Sequence, residues 1–125
     1  MRDHEFHATV AALDNSTTLV SVCGDVDMAT SPTLRRLLAA IETSRDRGVA
    51  DGHIVIDLSR VILLDASGIS VLMEAARTAD RTGHALVLRD PSPSCVRVLE
   101  ITRLVSVFRI DAAAPAERTL QLMSA

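Results

Sequence analysis

The chain has 125 residues, carries a formal net charge of −3 and is rich in Val, Leu, Ile and Ala, with two Phe and no Trp or Tyr. This length suits one domain with a single hydrophobic core. The mild acidity and the scarcity of aromatic side chains argue against nucleic-acid binding, and no apolar run approaches the roughly 20 residues that span a membrane. Two widely separated cysteines are typical of a cytoplasmic protein with free thiols.

The first predicted unit is a β-hairpin. Apolar and polar residues alternate from Phe6, and a β-rich run from Thr17 to Cys23 follows the turn-forming residues 14–16. In this prediction Gly24 ends the second strand.

The next predicted element is an amphipathic helix. Thr30 or Ser31 caps it, and Pro32 takes its first position, where the missing N–H costs nothing. Apolar residues recur at helical spacing on the face expected to be buried: Leu34, Leu37, Leu38 and Ile41. The polar residues are assigned to the solvent face: Arg35, Arg36, Glu42, Arg45 and Asp46.

A strand, a short polar turn and a second helix occupy the centre of the chain. The run His53–Leu58 has the apolar character and length of a buried strand, and Asp65 and Ser67 are both good helix N-caps. Apolar residues then share one helix face: Ile69, Leu72, Met73, Ala76 and Ala79. Gly83 closes the helix. The exposed N–H groups of a helix start suit an anion or a phosphorylated side chain, although an ordinary cap explains the same residues.

The last third of the sequence predicts a strand over residues 84–89, a short helix over 94–100 and a strand over 105–110. In the helix, the side chains of Val96 and Leu99 are expected to face the core. Pro115 opens a final helix that contains Leu120 and Met123. Strands that alternate with helices predict an α/β fold, in which right-handed crossovers make the later strands parallel.

Two short motifs resemble the STAS domain family, and specifically the bacterial anti-sigma factor antagonists. In that family Asp-Ser-Ser-Gly or Asp-Ser-Thr-Gly opens the second helix, and here the corresponding run is 65–69, Asp-Ala-Ser-Gly-Ile. The run 24–27, Gly-Asp-Val-Asp, is similar to the family's Gly-Glu-Leu-Asp before the first helix. The resemblance covers about residues 9–122. It implies a single STAS domain over 1–125, with a core of about 6–122 and a mixed sheet of about five strands covered by about four helices.

The resemblance also implies a function in partner switching. Such an antagonist binds an anti-sigma factor of the Ser/Thr kinase type and so frees a sigma factor; phosphorylation ends the binding, and a phosphatase restores it. The partner-binding residues implied here are Asp25, Asp27, Met28, Asp65, Ala66, Ser67, Gly68 and Ile69. No cofactor and no catalytic activity is implied, and the expected state is a monomer or a weak dimer.

Two positions depart from the family pattern. The phosphorylated Ser normally follows the Asp, but Ala66 stands there and has no hydroxyl. Three alternatives follow: an antagonist that phosphorylation cannot switch off at the usual position, a shifted phosphorylation at Ser67, or a STAS interaction or small-ligand-binding module with no sigma-pathway partner. Arg103 replaces a helix-ending Gly, at a cost of about 1 kcal/mol if its backbone is left-handed.

Other chemistries find little support in the sequence. Cys23 and Cys95 are expected to be small hydrophobic residues rather than a redox pair. The four histidines have no partner at metal-ligand spacing: His4, His7, His53 and His84. Ser67 lacks a nearby general base, and there is no glycine-rich phosphate loop, so an enzyme is not predicted.

Overall fold

The computed structural model describes residues 4–14, 16–46 and 52–111. The elements in chain order are β1 His7–Asp14, β2 Thr17–Val26, α1 Ser31–Asp46, β3 His53–Leu64, α2 Ala66–Arg81, β4 Leu86–Arg89, α3 Pro93–Ile101 and β5 Arg109–Asp111. The helix predicted from Pro115, with Leu120 and Met123, lies outside the described residues. No helix among the described residues is long and apolar enough to cross a membrane.

The five strands form one mixed sheet in the order β1-β2-β3-β4-β5. β1 pairs with β2 in antiparallel fashion, and β2, β3, β4 and β5 are parallel to one another. Because the parallel strands are adjacent in chain order, right-handed crossovers place their connecting helices on one face of the sheet. The predicted α/β fold and the parallel later strands are therefore confirmed.

The hydrophobic core lies between that face and the helices. Burial alternates along β2, where Val20, Val22 and Val26 point inward, because successive side chains of a strand point to opposite faces. The inward-facing helix residues include Leu34 and Leu38 of α1 and most of the stripe predicted for α2. The largest fully buried side chains are Leu34, Ile54, Ile56, Leu58, Leu72, Leu88 and Leu99.

The strand β2 does not end at Gly24, as the sequence suggested, but continues to Val26. Gly24 has φ +84°, a left-handed conformation that glycine adopts at little cost. A Cβ at this position would collide with the backbone carbonyl oxygens of Glu5 and His4, because the N-terminal segment crosses directly over Gly24. The glycine therefore allows the N-terminal segment to pass close to the backbone of β2, and the strand continues beyond it.

The strand β3 is twice as long as the predicted 53–58 and carries two irregularities. Its pairing with β2 shifts by one residue after Asp57 and again after Val61. Each shift places an extra β3 residue opposite β2, which is the geometry of a β-bulge. The polar pair at 59–60 breaks the alternation of apolar residues, so periodicity alone missed the second half of the strand. The bulges return Val61 and Leu64 to the core.

Glu42 is a correction to the predicted solvent face of α1. The residue is only 8% exposed. It follows Leu34 and Leu38 at steps of four, so helical spacing places it on the buried stripe despite its charge. Its Oε2 atom lies 3.7 Å from Nδ1 of His84, in the turn after α2. Arg35 and Arg36 are exposed as predicted, and the side chains of residues 45 and 46 are outside the described part of the chain.

The last strands are shorter than predicted, whereas α3 is slightly longer. β4 begins at Leu86. α3, Pro93–Ile101, extends the predicted 94–100 by one residue at each end; it buries Leu99 and Cys95, while Val96 is only half-buried. The predicted strand over 105–110 is wrong over residues 105–108, because β5 comprises only Arg109–Asp111. Arg103 has φ +60°, so a side chain occupies the left-handed position that a glycine would suit better.

We expect Gly24→Ala to lower the free energy of unfolding by about 1–3 kcal/mol, because the methyl group meets backbone at a left-handed position. Gly83→Ala is the matched control, since Gly83 has φ +77° but an open space where its Cβ would lie. Urea denaturation measures both variants. Equal losses of stability would contradict the close crossing of the N-terminal segment.

Arg103→Gly should raise the free energy of unfolding by about 0.5–1 kcal/mol, because glycine relieves the left-handed backbone strain. Arg97→Gly, an exposed position within α3, should instead lower it by about 1 kcal/mol through lost helix propensity. Thermal unfolding of both variants checks the opposite signs. A destabilised Arg103→Gly variant would show that the arginine side chain itself holds this turn.

Candidate functional site: the surface around Asp65

One carboxylate organises the turn between β3 and α2. Asp65 is the N-cap of α2, and its Oδ1 atom accepts hydrogen bonds from the backbone N–H groups of Ser67 at 2.9 Å and Gly68 at 3.2 Å. The hydroxyl of Ser67 donates a third bond to the same oxygen at 2.6 Å. The sequence offered Asp65 and Ser67 as N-caps; the structure shows that Asp65 caps α2 and that Ser67 lies within its first turn.

These contacts change the acidity of the carboxyl group. Burial raises the pKa of Asp65, but the hydrogen bonds from Ser67, Gly68 and Met28 favour the charged form and outweigh it. The net pKa therefore lies below its ordinary value of 3.8. At neutral pH the turn holds a fixed negative charge.

The position after Asp65 is open to solvent. Ala66 is the first residue of α2 and is exposed, whereas Ser67 is half-buried. The side chain at 66 has no hydroxyl, and the hydroxyl at 67 is engaged with Asp65. Phosphorylation of Ser67 would replace this hydrogen bond with a contact between two negative groups, the phosphate and the Asp65 carboxylate.

Two of the predicted partner-binding residues belong to the core. Gly68 and Ile69 are both buried. A Cβ on Gly68 would lie 2.6 Å from the side chain of Leu64 and 2.8 Å from that of Val26. The glycine therefore lets the start of α2 approach the ends of β2 and β3, and these two residues shape the surface from beneath.

The turn between β2 and α1 lies against this helix start. The backbone N–H of Asp65 donates to the carbonyl of Val26 at 3.1 Å, which ties the two turns together. Asp27 closes its own turn, because its Oδ1 accepts from the backbone N–H groups of Ala29 at 3.0 Å and Thr30 at 3.1 Å. Met28, at the tip, is 80% exposed.

The predicted residues that are not buried lie around these two turns, and they are of two kinds. Met28 and Ala66 are exposed on it, while Asp27 and Asp65 mainly hold the turns in shape. We call the exposed part, Met28, Ala29 and Ala66 with the carboxylates of Asp27 and Asp65, the docking surface, because the sequence predicts that a partner binds there. Asp25 lies beside it at the end of β2.

The sequence missed two residues next to the docking surface. Nδ1 of His4 lies 2.9 Å from Oδ1 of Asp25, a contact between residues 21 positions apart that no local pattern signals. Leu63 is 46% exposed at the end of β3, in the segment that periodicity did not assign to a strand.

The described residues provide no site for the redox or metal chemistry considered from the sequence. Cys23 and Cys95 are both free thiols; Cys95 is buried, and burial raises its pKa against the opposing hydrogen bonds from Ser92. Among residues 4–14, 16–46 and 52–111, no group of three His, Cys, Asp or Glu side chains could hold a metal ion.

We expect Asp65→Ala to lower the free energy of unfolding by about 1 kcal/mol at pH 7, the usual value of an N-cap. The pKa of Asp65 is lowered in the folded state. Its contribution to the free energy of unfolding is therefore complete at pH values above 3.8 and is lost as the pH falls below that value. The difference between wild type and variant should therefore narrow in acid. Asp80→Ala, at an exposed position of α2, is the control for urea denaturation at several pH values. A pH-independent difference would contradict the charged cap.

The comparisons with known proteins agree with this fold. A family model described as "Mlab, STAS domain" matches residues 9–120. An anti-sigma factor antagonist from Mycobacterium paratuberculosis has 27% identity and a TM-score of 0.67, with 94% of each chain covered.

Two further solved structures share the fold at lower identity. The anti-sigma factor antagonist SpoIIAA of Bacillus, in its unphosphorylated form, has 18% identity and a TM-score of 0.70 over 95% of this chain and 98% of its own. An anti-sigma-factor antagonist (STAS) domain protein from Planctomyces limnophilus has 20% identity and a TM-score of 0.61 over 94% and 98%. Since the family model spans most of the sequence, the chain belongs to the STAS domain family.

Proposed function

We propose that this protein is an anti-sigma factor antagonist of the cytoplasm. It binds an anti-sigma factor of the Ser/Thr kinase type through the docking surface and so releases a sigma factor. The observation that carries the proposal is the exposed Met28 and Ala66 around a rigid, charged Asp65 turn. The likeness to the Mycobacterium paratuberculosis antagonist supports the same role.

The composition of the docking surface suits a protein partner. A flexible, unbranched Met28 side chain that is 80% exposed can fill an irregular pocket on a facing molecule. The hydrogen bonds within both turns fix the backbone before binding, so little conformational entropy is lost on association. An apolar centre with a polar rim is the usual arrangement of a protein interface.

In this proposal phosphorylation at the usual position cannot end the binding. A phosphate after Asp65 would add nearly two negative charges beside an existing carboxylate, which would disfavour docking. Ala66 has no oxygen to accept it, and the hydroxyl of Ser67 is engaged with Asp65. The antagonist would therefore remain competent to bind, and a phosphatase would act only if Ser67 were modified.

A second candidate function is a STAS module without a sigma-pathway partner. A cavity of about 270 Å³ between α1 and α2 favours it, with Leu38, Ile54 and Val71 in its walls and the Arg35–Glu74 ion pair on its lining. This volume is just below the range typical of small-ligand sites, about 300–1,000 Å³. A small molecule that co-purifies with the protein, together with no binding to any anti-sigma kinase, would support this alternative.

The test uses purified anti-sigma kinases of the source organism, each bound to its sigma factor. We expect the wild-type protein to displace a sigma factor from one of them, and Ala66→Lys to fail, because a long charged side chain enters the centre of the interface. Ala40→Lys, at an exposed position of α1, is the matched control. Competition monitored by fluorescence anisotropy of labelled sigma factor measures both. Displacement that is unaffected by Ala66→Lys would refute the proposed surface.

The Ala66→Ser variant should restore a phosphorylation switch. With the partner kinase and ATP, we expect one phosphate on the introduced hydroxyl and binding at least tenfold weaker, since a charge of nearly −2 enters the interface. The wild-type protein should keep its mass, as should Ala66→Ser incubated without ATP. Phosphopeptide mapping locates the modification. A phosphate on Ser67 of the wild-type chain would contradict a constitutive antagonist and support the shifted acceptor.

A further inference from the structure

The turn between α3 and β5 exposes several large apolar side chains close together. Within seven residues, Ile101 is 71% exposed, Val105 is 43% exposed and Val107 is 56% exposed. The other four large apolar side chains that are exposed in the described chain are spread over β1, the turn after β2, and β3. Single exposed apolar residues are ordinary on a protein surface, whereas a group of them marks an interaction surface.

Arg103 gives this turn a backbone conformation that glycine adopts more easily. The backbone N–H of Arg103 donates to the carbonyl of Glu100 at 3.1 Å, and that of Leu104 donates to the carbonyl of Leu99 at 2.8 Å. These are the two hydrogen bonds of a Schellman motif, in which the left-handed position is most often a glycine. Arg103 occupies that position with φ +60°, so its side chain is present at a cost in stability.

The turn is anchored from within, so its exposed side chains hold fixed positions. Phe108 is buried, and Leu104 packs against the hydrophobic core. The backbone N–H of Val107 donates to the carbonyl of Leu104 at 3.0 Å. A cavity of about 400 Å³ lies beside Val107, with Met73 and Ala76 of α2 in its walls. An aliphatic side chain of another molecule could therefore enter a preformed apolar groove next to the turn.

The charged side chains around the turn give it an excess of positive charge. Glu100 and Asp80 carry the neighbouring carboxylates, and four exposed arginines lie beside them: Arg77, Arg97, Arg103 and Arg109. Within the described part of the chain, none of these arginines forms an ion pair. We call the exposed side chains of the turn the α3–β5 patch: Ile101, Arg103, Val105, Val107 and Arg109.

We propose that the α3–β5 patch binds a second protein partner, through a segment that presents aliphatic side chains beside aspartate or glutamate. The apolar side chains would be covered in the contact, and the guanidinium groups would pair with the carboxylates. This function accounts for the strained arginine, because a side chain that binds a partner is retained where glycine would make the fold more stable.

The α3–β5 patch is separate from the docking surface. The turn precedes β5 and so lies at the amino ends of the parallel strands, whereas the docking surface lies at the carboxyl ends of β2 and β3. An anionic membrane is a less suitable occupant, because the exposed apolar side chains are aliphatic and the chain carries a net charge of −3.

An NMR titration of the ¹⁵N-labelled protein with two short synthetic peptides tests the patch. The acidic peptide repeats leucine and glutamate at the spacing of an amphipathic helix, and the basic peptide has lysine in place of every glutamate. We expect the acidic peptide alone to shift the amide signals of residues 101–109. Val105→Ser should weaken its binding about threefold, whereas Val10→Ser, at a side chain 46% exposed on β1, is the matched control and should not.

Arg103→Gly separates a binding role from a structural one. We expect this variant to bind the acidic peptide about threefold more weakly and yet to unfold at a higher temperature, while Arg103→Lys keeps binding close to wild type. Arg36→Ala, at an exposed position of α1, is the control for loss of one positive charge and should leave peptide binding unchanged.

Four results would overturn the proposal: no binding of the acidic peptide at millimolar concentration, equal binding of the two peptides, amide shifts away from residues 101–109, or unchanged affinity of Arg103→Gly and Val105→Ser. Nuclear Overhauser contacts from Ile101 or Val105 to residues 112–125 would also overturn it, because the chain itself would then cover the patch. Sedimentation with phosphatidylglycerol vesicles, without peptide binding, would assign the patch to a membrane instead. The sigma-factor displacement assay with Ala66→Lys does not depend on these outcomes, so the two proposals can fail separately.

Discussion

The convergence of three hydrogen bonds on one oxygen of Asp65 is the interaction on which the shape of the proposed docking surface depends. The two backbone donors are N–H groups that a helix start leaves without intrahelical partners, and the third donor is the Ser67 hydroxyl. The bond from the Asp65 N–H to Val26 then joins this helix start to the end of β2. One residue thereby fixes the relative position of the two turns that carry Met28 and Ala66.

This arrangement explains how a short motif can fix the shape of the proposed docking surface. The buried residues of the motif, Gly68 and Ile69, allow α2 to approach the sheet closely. The backbone of the exposed residues is therefore held in a fixed position. Because the hydrogen bonds fix this shape without a partner, the affinity for the proposed partner would depend on which side chains are exposed rather than on folding of the loop. In the proposed function, a methyl group at Ala66 in place of a hydroxyl would change regulation without changing the shape.

The fold was predictable from the sequence wherever local pattern and tertiary structure agree. Apolar periodicity located α1 and α2, and the order of elements predicted the parallel sheet. Prediction from the sequence failed where the position of a residue depends on distant parts of the chain. Glu42 is buried opposite His84, and β3 continues through two bulges. The site was predictable around Asp65 because caps are local, whereas the His4–Asp25 contact joins segments that only the folded chain brings together.

The most direct test of the account is an NMR titration of the ¹⁵N-labelled protein with its partner kinase. We expect the largest backbone shift changes on the turns that carry Met28 and Ala66. Changes confined to the groove between α1 and α2, around Arg35 and Glu74, with none beside Asp65, would contradict it.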